Sequence, residues 1–359
     1  MADLMSDTYE YSSLANKYGN FYLPAVKIYI NGTDILAAQK LFLEEISVVL
    51  SLDSAGSAQF KIGNIYDPPS RSFKSGIADK FKPGTIVEIA LGYYSSTTKI
   101  MKGFVYMLGA EFGNKNLLVV TVMDVRKLMM IGGSRHVLHN VKNYSDIFKT
   151  IMSAYSRLCT PKVSATNDKL EAPVSQTGTD YDFIMDELVK KGKSDREFFV
   201  LGENAYFRER PKSAPAVLKA EFGRELLELE MDYSYLDMEI QVMGYNSYEQ
   251  ASYIGKSKVK SGEPQASLLT PTPVFVYSDP DADNQEKAAR RAGAIADLAD
   301  RQSKNGKLTM IGLPEIVPGR YVEVVKLEKM VNRKYYITEV RHRIGDTFFV
   351  TECDIGGFA

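Results

Sequence analysis

The stretch KPGTIVEIALGYY, from Lys82, returns late in the chain as VPGRYVEVVKLEK, from Val317. Both copies open on Pro-Gly, at Pro83-Gly84 and Pro318-Gly319, skip two residues, and continue as Val-Glu followed by a β-branched residue. Proline fixes φ at the second position of a tight turn and glycine supplies positive φ at the third, so each dipeptide launches a strand from a corner. Behind the corners Val87 and Ile89 match Val322 and Val324, with Glu88 and Glu323 on the opposite face. A strand-like stretch precedes each corner, SAQFKIG ending at Gly63 and GKLTMIG ending at Gly312, so an order of elements is repeated. The spacing predicts that segments 57–91 and 307–326 share one plan of strand, connection and strand. NIYDPPSRSFKSGIADKF is then an insertion in the first copy.

The pattern around these copies divides the chain in three. From about Val26 to Val125 the sequence alternates with period two: Ile46, Val48, Leu50 and Leu52 share one face, as do Ala58, Phe60 and Ile62. Asn31-Gly32 is a two-residue hairpin signal, because both positions take positive φ. Residues 1–130 are therefore expected to form a first β-barrel. Helical periodicity governs 131–237. There Ile147, Phe148, Ile151, Met152 and Tyr155 share a face after a capping Asn143, and Thr179 with Asp182 has capping-box spacing before Ile184 and Leu188. REFFVL and AYFRER flank Gly202-Glu203-Asn204 as a hairpin, which makes this an α+β middle domain. Residues 238–359 return to alternation as a second barrel. It carries an exposed loop, GKSKVKSGEPQAS, and an Ala-rich helix over 283–304 started by Asp281 or Asp283. The fold class expected is α+β, mainly β, with two similar antiparallel β-barrel domains flanking an α+β domain.

At 359 residues the chain is long enough for two or three domains with cores of their own. Lys plus Arg number 44 against 45 Asp plus Glu, so no net field favours nucleic acid or an anionic membrane, and proteins are the expected partners. No apolar run approaches the roughly 20 residues that span a bilayer. The N-terminus, MADLMSDTYEYSS, lacks a basic and apolar leader, so the chain is expected to be made and kept in the cytoplasm, at least until something else exports it. Cys159 and Cys353 are too few for a disulfide framework.

Enzymatic patterns are sparse. His136 and His139 with Cys159 are the nearest approach to a zinc set, but odd spacing on a strand points the two histidines apart. His342 alternates with Val340 and Ile344 and reads as a hydrogen-bonded strand residue. DPDADN, from Asp279, has Asn284 and Arg290 where a calcium loop needs Gly and Glu. Walker, G-x-S-x-G and dinucleotide motifs do not occur. Asp180, Asp182, Asp186 and Glu187 read as the solvated face of a helix. No catalytic residue, metal ligand or cofactor is assigned.

A helix beginning TDYDFIMDEL, then NAYFRER, MEIQVMGY, Pro-Gly and YYITEVRH, resemble in order the phage late control gene D family, from about Val26 to Ile355. That family covers the tail hub of contractile-tailed phages and the hub portion of the valine-glycine-repeat spike protein of type VI secretion. In its final hairpin a Tyr is followed by aliphatics two and five residues on and a His seven on, which Tyr335, Ile337, Val340 and His342 match. The Gly usual before that Tyr is missing here, where the sequence is VNRK. The resemblance implies two similar barrels around an α+β domain, and a homotrimer whose ring of six barrel-like units joins a six-fold inner tube to a three-fold spike. The machine implied is a phage tail, tailocin or injection system, with the chain located in its baseplate. The implied partners are inner-tube or tube-initiator proteins, baseplate wedge or other baseplate proteins, and a separate spike protein, since no neck or needle follows Ala359. The interaction residues expected are the corners Pro83, Gly84, Pro318 and Gly319 and the C-terminal Ile355, Gly356, Gly357 and Phe358. A tail-associated peptidoglycan hydrolase, or a receptor- or sugar-binding tail module, is the alternative.

Overall fold

The computed structural model describes residues 3–74, 76–166, 170, 172–191, 196–261, 268–345 and 348–358. The fold is mainly β, and one sheet of 13 strands joins the early and late parts of the chain.

After α1 (Tyr11–Lys17) comes β1 (Pro24–Ile30), which Asn31 and Gly32, at φ of 50° and 77°, turn back into β2 (Thr33–Asp34). Next are α2 (Ile35–Ala38), β3 (Phe42–Ser51) and β4 (Ser57–Gly63). An excursion of β5 (Tyr66–Asp67), β6 (Ser72–Phe73) and α3 (Ile77–Lys80) precedes β7 (Ile86–Tyr93), β8 (Ser96–Glu111) and β9 (Leu117–Met123). Hydrogen bonds order the strands β3-β4-β9-β8-β7-β1-β2, antiparallel throughout. Ile46, Val48 and Leu50 are buried with Ala58, Phe60 and Ile62, as the alternation predicts.

The middle segment holds α4 (Val125–Ile131), β10 (Arg135–His139), α5 (Tyr144–Ser153), β11 (Thr160–Val163) and β12 (Val174–Gly178). Then come α6 (Asp180–Phe183), continued by a π-helix over Ile184–Lys191, and the hairpin β13 (Arg196–Leu201) and β14 (Asn204–Glu209). Asn143 and Thr179 cap their helices by accepting from the Asp146 and Asp182 amides. Phe148, stacked on Phe207 and edge-on to Phe198, anchors a separate core here. The expected helix stop at Gly192 lies outside the described residues.

The final segment contains β15 (Ala216–Glu221), β16 (Leu226–Tyr233), β17 (Leu236–Asn246), β18 (Ala251–Ser261), β19 (Val274–Ser278) and α7 (Gln285–Gln302). It ends with β20 (Lys304–Ile311), β21 (Tyr321–Val325), β22 (Lys334–Ile344) and β23 (Phe349–Phe358). Strands β17, β18 and β19 form their own sheet, against which Ala288, Ala292 and Ala296 of α7 are buried. The other six strands belong to the large sheet.

Three expectations need correction. Among the described residues neither expected barrel closes: β1 and β3 are not paired to each other, and β3 pairs instead with β22. Strands β15 and β16, which lie within the span expected for the middle domain, pair with β21 and β20 of the final segment. Gly255 to Ser261, expected as loop, is strand β18 with every residue paired to β17. Its inward positions are small, Gly255, Ser257 and Val259, because α7 packs closely over them; Lys256 and Lys258 alternate outward and mask the pattern. Residues 262–267 of that stretch lie outside the described residues. Finally, α7 is capped by Asn284, which accepts from the Lys287 amide, and not by Asp281 or Asp283.

Candidate functional site

The two ends of the large sheet repeat one pairing plan. Strands β3-β4-β9-β8-β7 are hydrogen-bonded neighbours in that order, and so are β16-β20-β23-β22-β21, antiparallel at every step. Two of the irregularities repeat too, while those between Ile89 and Ala90 on β7 and between Tyr335 and Ile337 on β22 have no counterpart among the described residues. A bulge between Leu43 and Glu45 on β3 matches one between Leu226 and Glu228 on β16. A second, between Val105 and Met107 on β8, matches one between Ile337 and Glu339 on β22. Bulges re-aim strands and are built features, so coincidence at both places is improbable. The outer partners differ: β1 is antiparallel to β7, whereas β15 is parallel to β21.

The Pro-Gly corners sit at equivalent points of this plan. Gly84 donates to the Val105 carbonyl at 2.8 Å and Thr85 accepts from the Val105 amide at 2.9 Å. Gly319 and Arg320 make the same two bonds with Ile337, both at 2.9 Å. Both glycines have positive φ, 91° and 81°. The upstream strands align one residue away from the sequence match: through β9 and β23, Phe60 corresponds to Leu308 rather than to Thr309.

The eight residues expected to meet partners are not brought together. Pro83 and Gly84 are exposed, but Pro318 and Gly319 are buried under the chain's own Arg208, Phe199 and Met5. The N-terminal arm causes the difference: Arg320 donates to the Leu4 and Asp7 carbonyls at 2.5 and 2.8 Å, and Tyr9 bridges to Leu218. At the C-terminus Ile355 is buried between Gly306 and Ile337, and Gly356 accepts from Arg210 at 2.9 Å. Gly357 is buried against Arg301, and the Phe358 backbone pairs with Tyr335. The sequence reading missed two open strand edges, Met107–Glu111 on β8 and Glu228–Asp232 on β16. Each has a strand partner on one side and none on the other among the described residues. The sequence carried no signal for them: aligning the Pro-Gly corners sets Met107 against His342, and only the matched bulges set it against Glu339.

The acids are partnered inside the fold. Asp180, expected on a solvated face, is buried and accepts from Tyr155 and Gln176 at 2.6 Å each, while His139 pairs with Gln176 and stacks on Phe183. Burial, reinforced by that carboxylate, pushes the Tyr155 hydroxyl above its usual pKa. Glu315 accepts from Tyr18 at 2.6 Å and Lys17 at 2.7 Å. Burial raises the Glu197 carboxyl above its ordinary range against the opposing pull of Arg208; it accepts from Tyr336 at 2.6 Å. A groove of about 410 Å³ on the second half of the sheet is lined by Glu228, Glu230, Glu339, Glu352, Asp354, Lys307 and Arg341, on its charged face. Among the described residues no three His, Cys, Asp or Glu side chains are grouped to hold a metal ion.

His342 is fully buried, with Nδ1 3.0 Å from the Thr351 hydroxyl, and burial depresses its pKa to about 3. The unfolded chain takes up this proton near pH 6.5, whereas the folded chain does so only near pH 3. Stability from this group is therefore complete above pH 6.5 and falls by about 1.4 kcal/mol per pH unit below it. Urea unfolding at pH 6.5 and 5 should show a loss of about 2 kcal/mol in the wild type that is missing in His342→Gln. Equal losses in both proteins would contradict this.

Residues 21–346 match the family described as Alg8 N-terminal domain. The chain belongs to that family. The match carries a different name from the late control gene D family. No curated protein matches this member of the Alg8 N-terminal domain family by sequence. A tail protein from Neisseria meningitidis MC58 has a similar solved structure, with a TM-score of 0.69 at 12% identity, over 94% of this chain and 97% of that one. The 43 kDa tail protein of prophage MuSo2 from Shewanella oneidensis gives a TM-score of 0.69 at 12% identity, over 92% and 98%. An Escherichia coli component of the type VI secretion system gives 0.58 at 9%, over 93% and 77%. At these identities the likeness is one of fold. No helix among the described residues is long and apolar enough to cross a membrane.

Proposed function

We propose that the chain is a structural hub subunit in the baseplate of a contractile phage tail, tailocin or contractile injection system. Three copies form a ring of six similar barrel-like units, which seats the six-fold inner tube or its initiator on one side and a separate three-fold spike on the other. Wedge or other baseplate proteins surround it, and assembly takes place in the bacterial cytoplasm. In this reading the first unit spans 24–123 and the middle domain 125–209. The second unit combines 216–233 with 304–358, and β17, β18, β19 and α7 are inserted into it.

The observation that carries the reading is the repeated pairing plan with both bulges in the same places. A chain that carries one unit twice lets three subunits present six near-equivalent surfaces, which resolves a mismatch between three-fold and six-fold partners. The likeness of fold to phage tail proteins supports the setting. The partnered buried carboxylates support a structural role over a hydrolytic one. Of the two corners, Pro83-Gly84 is the exposed one and therefore the one proposed to meet a partner. Mixed with inner-tube protein from the same machine, the chain should cap tube ends. Tubes that stay bare at both ends would overturn the reading.

A further inference from the structure

Within one chain the two halves of the sheet meet through β22 and β3. Six residue pairs run antiparallel, from Glu339 opposite Ser51 to Ile344 opposite Ile46, and the Leu52 amide donates to the Thr338 carbonyl at 2.9 Å. In the repeated plan β22 is the counterpart of β8, and β3 of β16. The same junction can therefore be made a second time, by β8 and β16. These lie on opposite flanks of the sheet in one chain, and each has an open edge among the described residues.

We propose that the open edge of β8 pairs antiparallel with the open edge of β16 from a second copy of this chain, repeating the junction between β22 and β3. The inference rests on the hub reading and adds its subunit contact. The bulges fix the register. On β8, Val105 and Met107 correspond to Ile337 and Glu339; on β16, Leu229 and Met231 correspond to Ile46 and Val48. Transferring the internal junction sets Met107 opposite Ser234, Gly109 opposite Asp232 and Glu111 opposite Glu230, and gives the Tyr235 amide the Tyr106 carbonyl as acceptor.

Burial shows what is lacking. Ile46, Val48 and Val340, which face each other across the internal junction, are 2%, 0% and 0% exposed. Their counterparts Leu229, Met231 and Leu108 pack against the core but stay only half-buried. Met107 is 54% exposed, and Phe112, one residue past the end of β8, is 63% exposed. A strand edge with unpaired amides and carbonyls beside apolar side chains is a template for another strand. The second edge of this same chain fits it, because that contact already exists once inside the molecule. The contact joins two different surfaces, so its repetition is head-to-tail, and closure of the ring follows from the rotation between subunits. Opposed Glu111 and Glu230 weaken the pairing, and Lys61, 3.2 Å from Glu111, offsets part of that.

The test is a cysteine pair in the full chain, Gly109→Cys with Asp232→Cys. Both positions are exposed, and a Cβ at Gly109 would come no closer than 4.0 Å to Val119. Facing strand residues have Cα atoms about 4.5–5.5 Å apart, within disulfide range, and the native Cys159 and Cys353 are buried. Mild oxidation should convert most of the protein to covalently closed trimers on a non-reducing gel. Neither single variant should do so, nor the off-register pair Gly109→Cys with Glu228→Cys. Trimers in light scattering without the Gly109–Asp232 crosslink, or with better linking at Glu228, would overturn this contact and leave the hub reading standing. A chain that stays monomeric alone and with tube protein would overturn both.

Discussion

Gly319→Val is expected to cost the fold about 3 kcal/mol or more, and Gly84→Val about 1–2 kcal/mol. Both glycines launch a strand at positive φ, 81° and 91°, so a β-branched side chain is strained at either corner. Their surroundings separate the two. A Cβ on Gly319 would lie 2.7 Å from Arg208 Nη2 and 3.1 Å from Phe199, while nothing lies within 4 Å of one on Gly84. Arg208 cannot readily move aside, because Nη2 donates to the Gly319 carbonyl at 2.6 Å and contacts Glu197 at 3.3 Å. Overpacking is therefore added to backbone strain at Gly319 alone. Urea unfolding of the two variants should rank them in that order. Equal losses would show that the N-terminal arm and Arg208 yield at little cost. From the sequence both substitutions are expected to act alike; burial of one corner breaks that equivalence.

The second large effect concerns Arg126, whose side chain is 0% exposed beside an Asp124 that is 3% exposed. Asp124 Oδ2 accepts from Arg126 Nη2 at 2.8 Å and Nε at 3.0 Å and from the Gly56 amide at 2.7 Å. Oδ1 caps α4 by accepting from the Arg126 amide, and Arg126 Nη1 reaches the Leu52 carbonyl at 3.3 Å. The pair thus ties the β3–β4 turn of the first sheet half to α4. Arg126→Met would leave a buried carboxylate without its cation and should cost about 3–5 kcal/mol. Asp124→Asn combined with Arg126→Met should be less damaging than Arg126→Met alone, because the orphaned charge is gone. A loss below about 1 kcal/mol for Arg126→Met would mean that the carboxylate finds another partner.

Local chemistry was legible in the sequence and long-range pairing was not. The corners at Gly84 and Gly319, the turn at Asn31-Gly32 and the caps at Asn143 and Thr179 each depend on two to four neighbouring residues, and each stands where expected. That β22 pairs with β3 depends on residues nearly 300 positions apart, for which alternation gives only a face and no partner. For the same reason β15 and β16 read as part of the middle domain, although their hydrogen bonds go to β21 and β20. Asp180 looked solvated because it opens a helix, as acids do, yet Tyr155 and Gln176 from neighbouring elements enclose it. At the candidate surface, Pro83-Gly84 was legible as a turn. The open edges of β8 and β16 were not, because Leu108, Leu229 and Met231 follow the same alternation as strands that are covered within the chain.

The hub account is tested most directly by imaging the chain bound at the end of an inner tube and counting its copies. It predicts a closed ring of three chains whose averaged density shows six similar lobes with three-fold symmetry. Single chains, open head-to-tail filaments, or six chains at the tube end would contradict it.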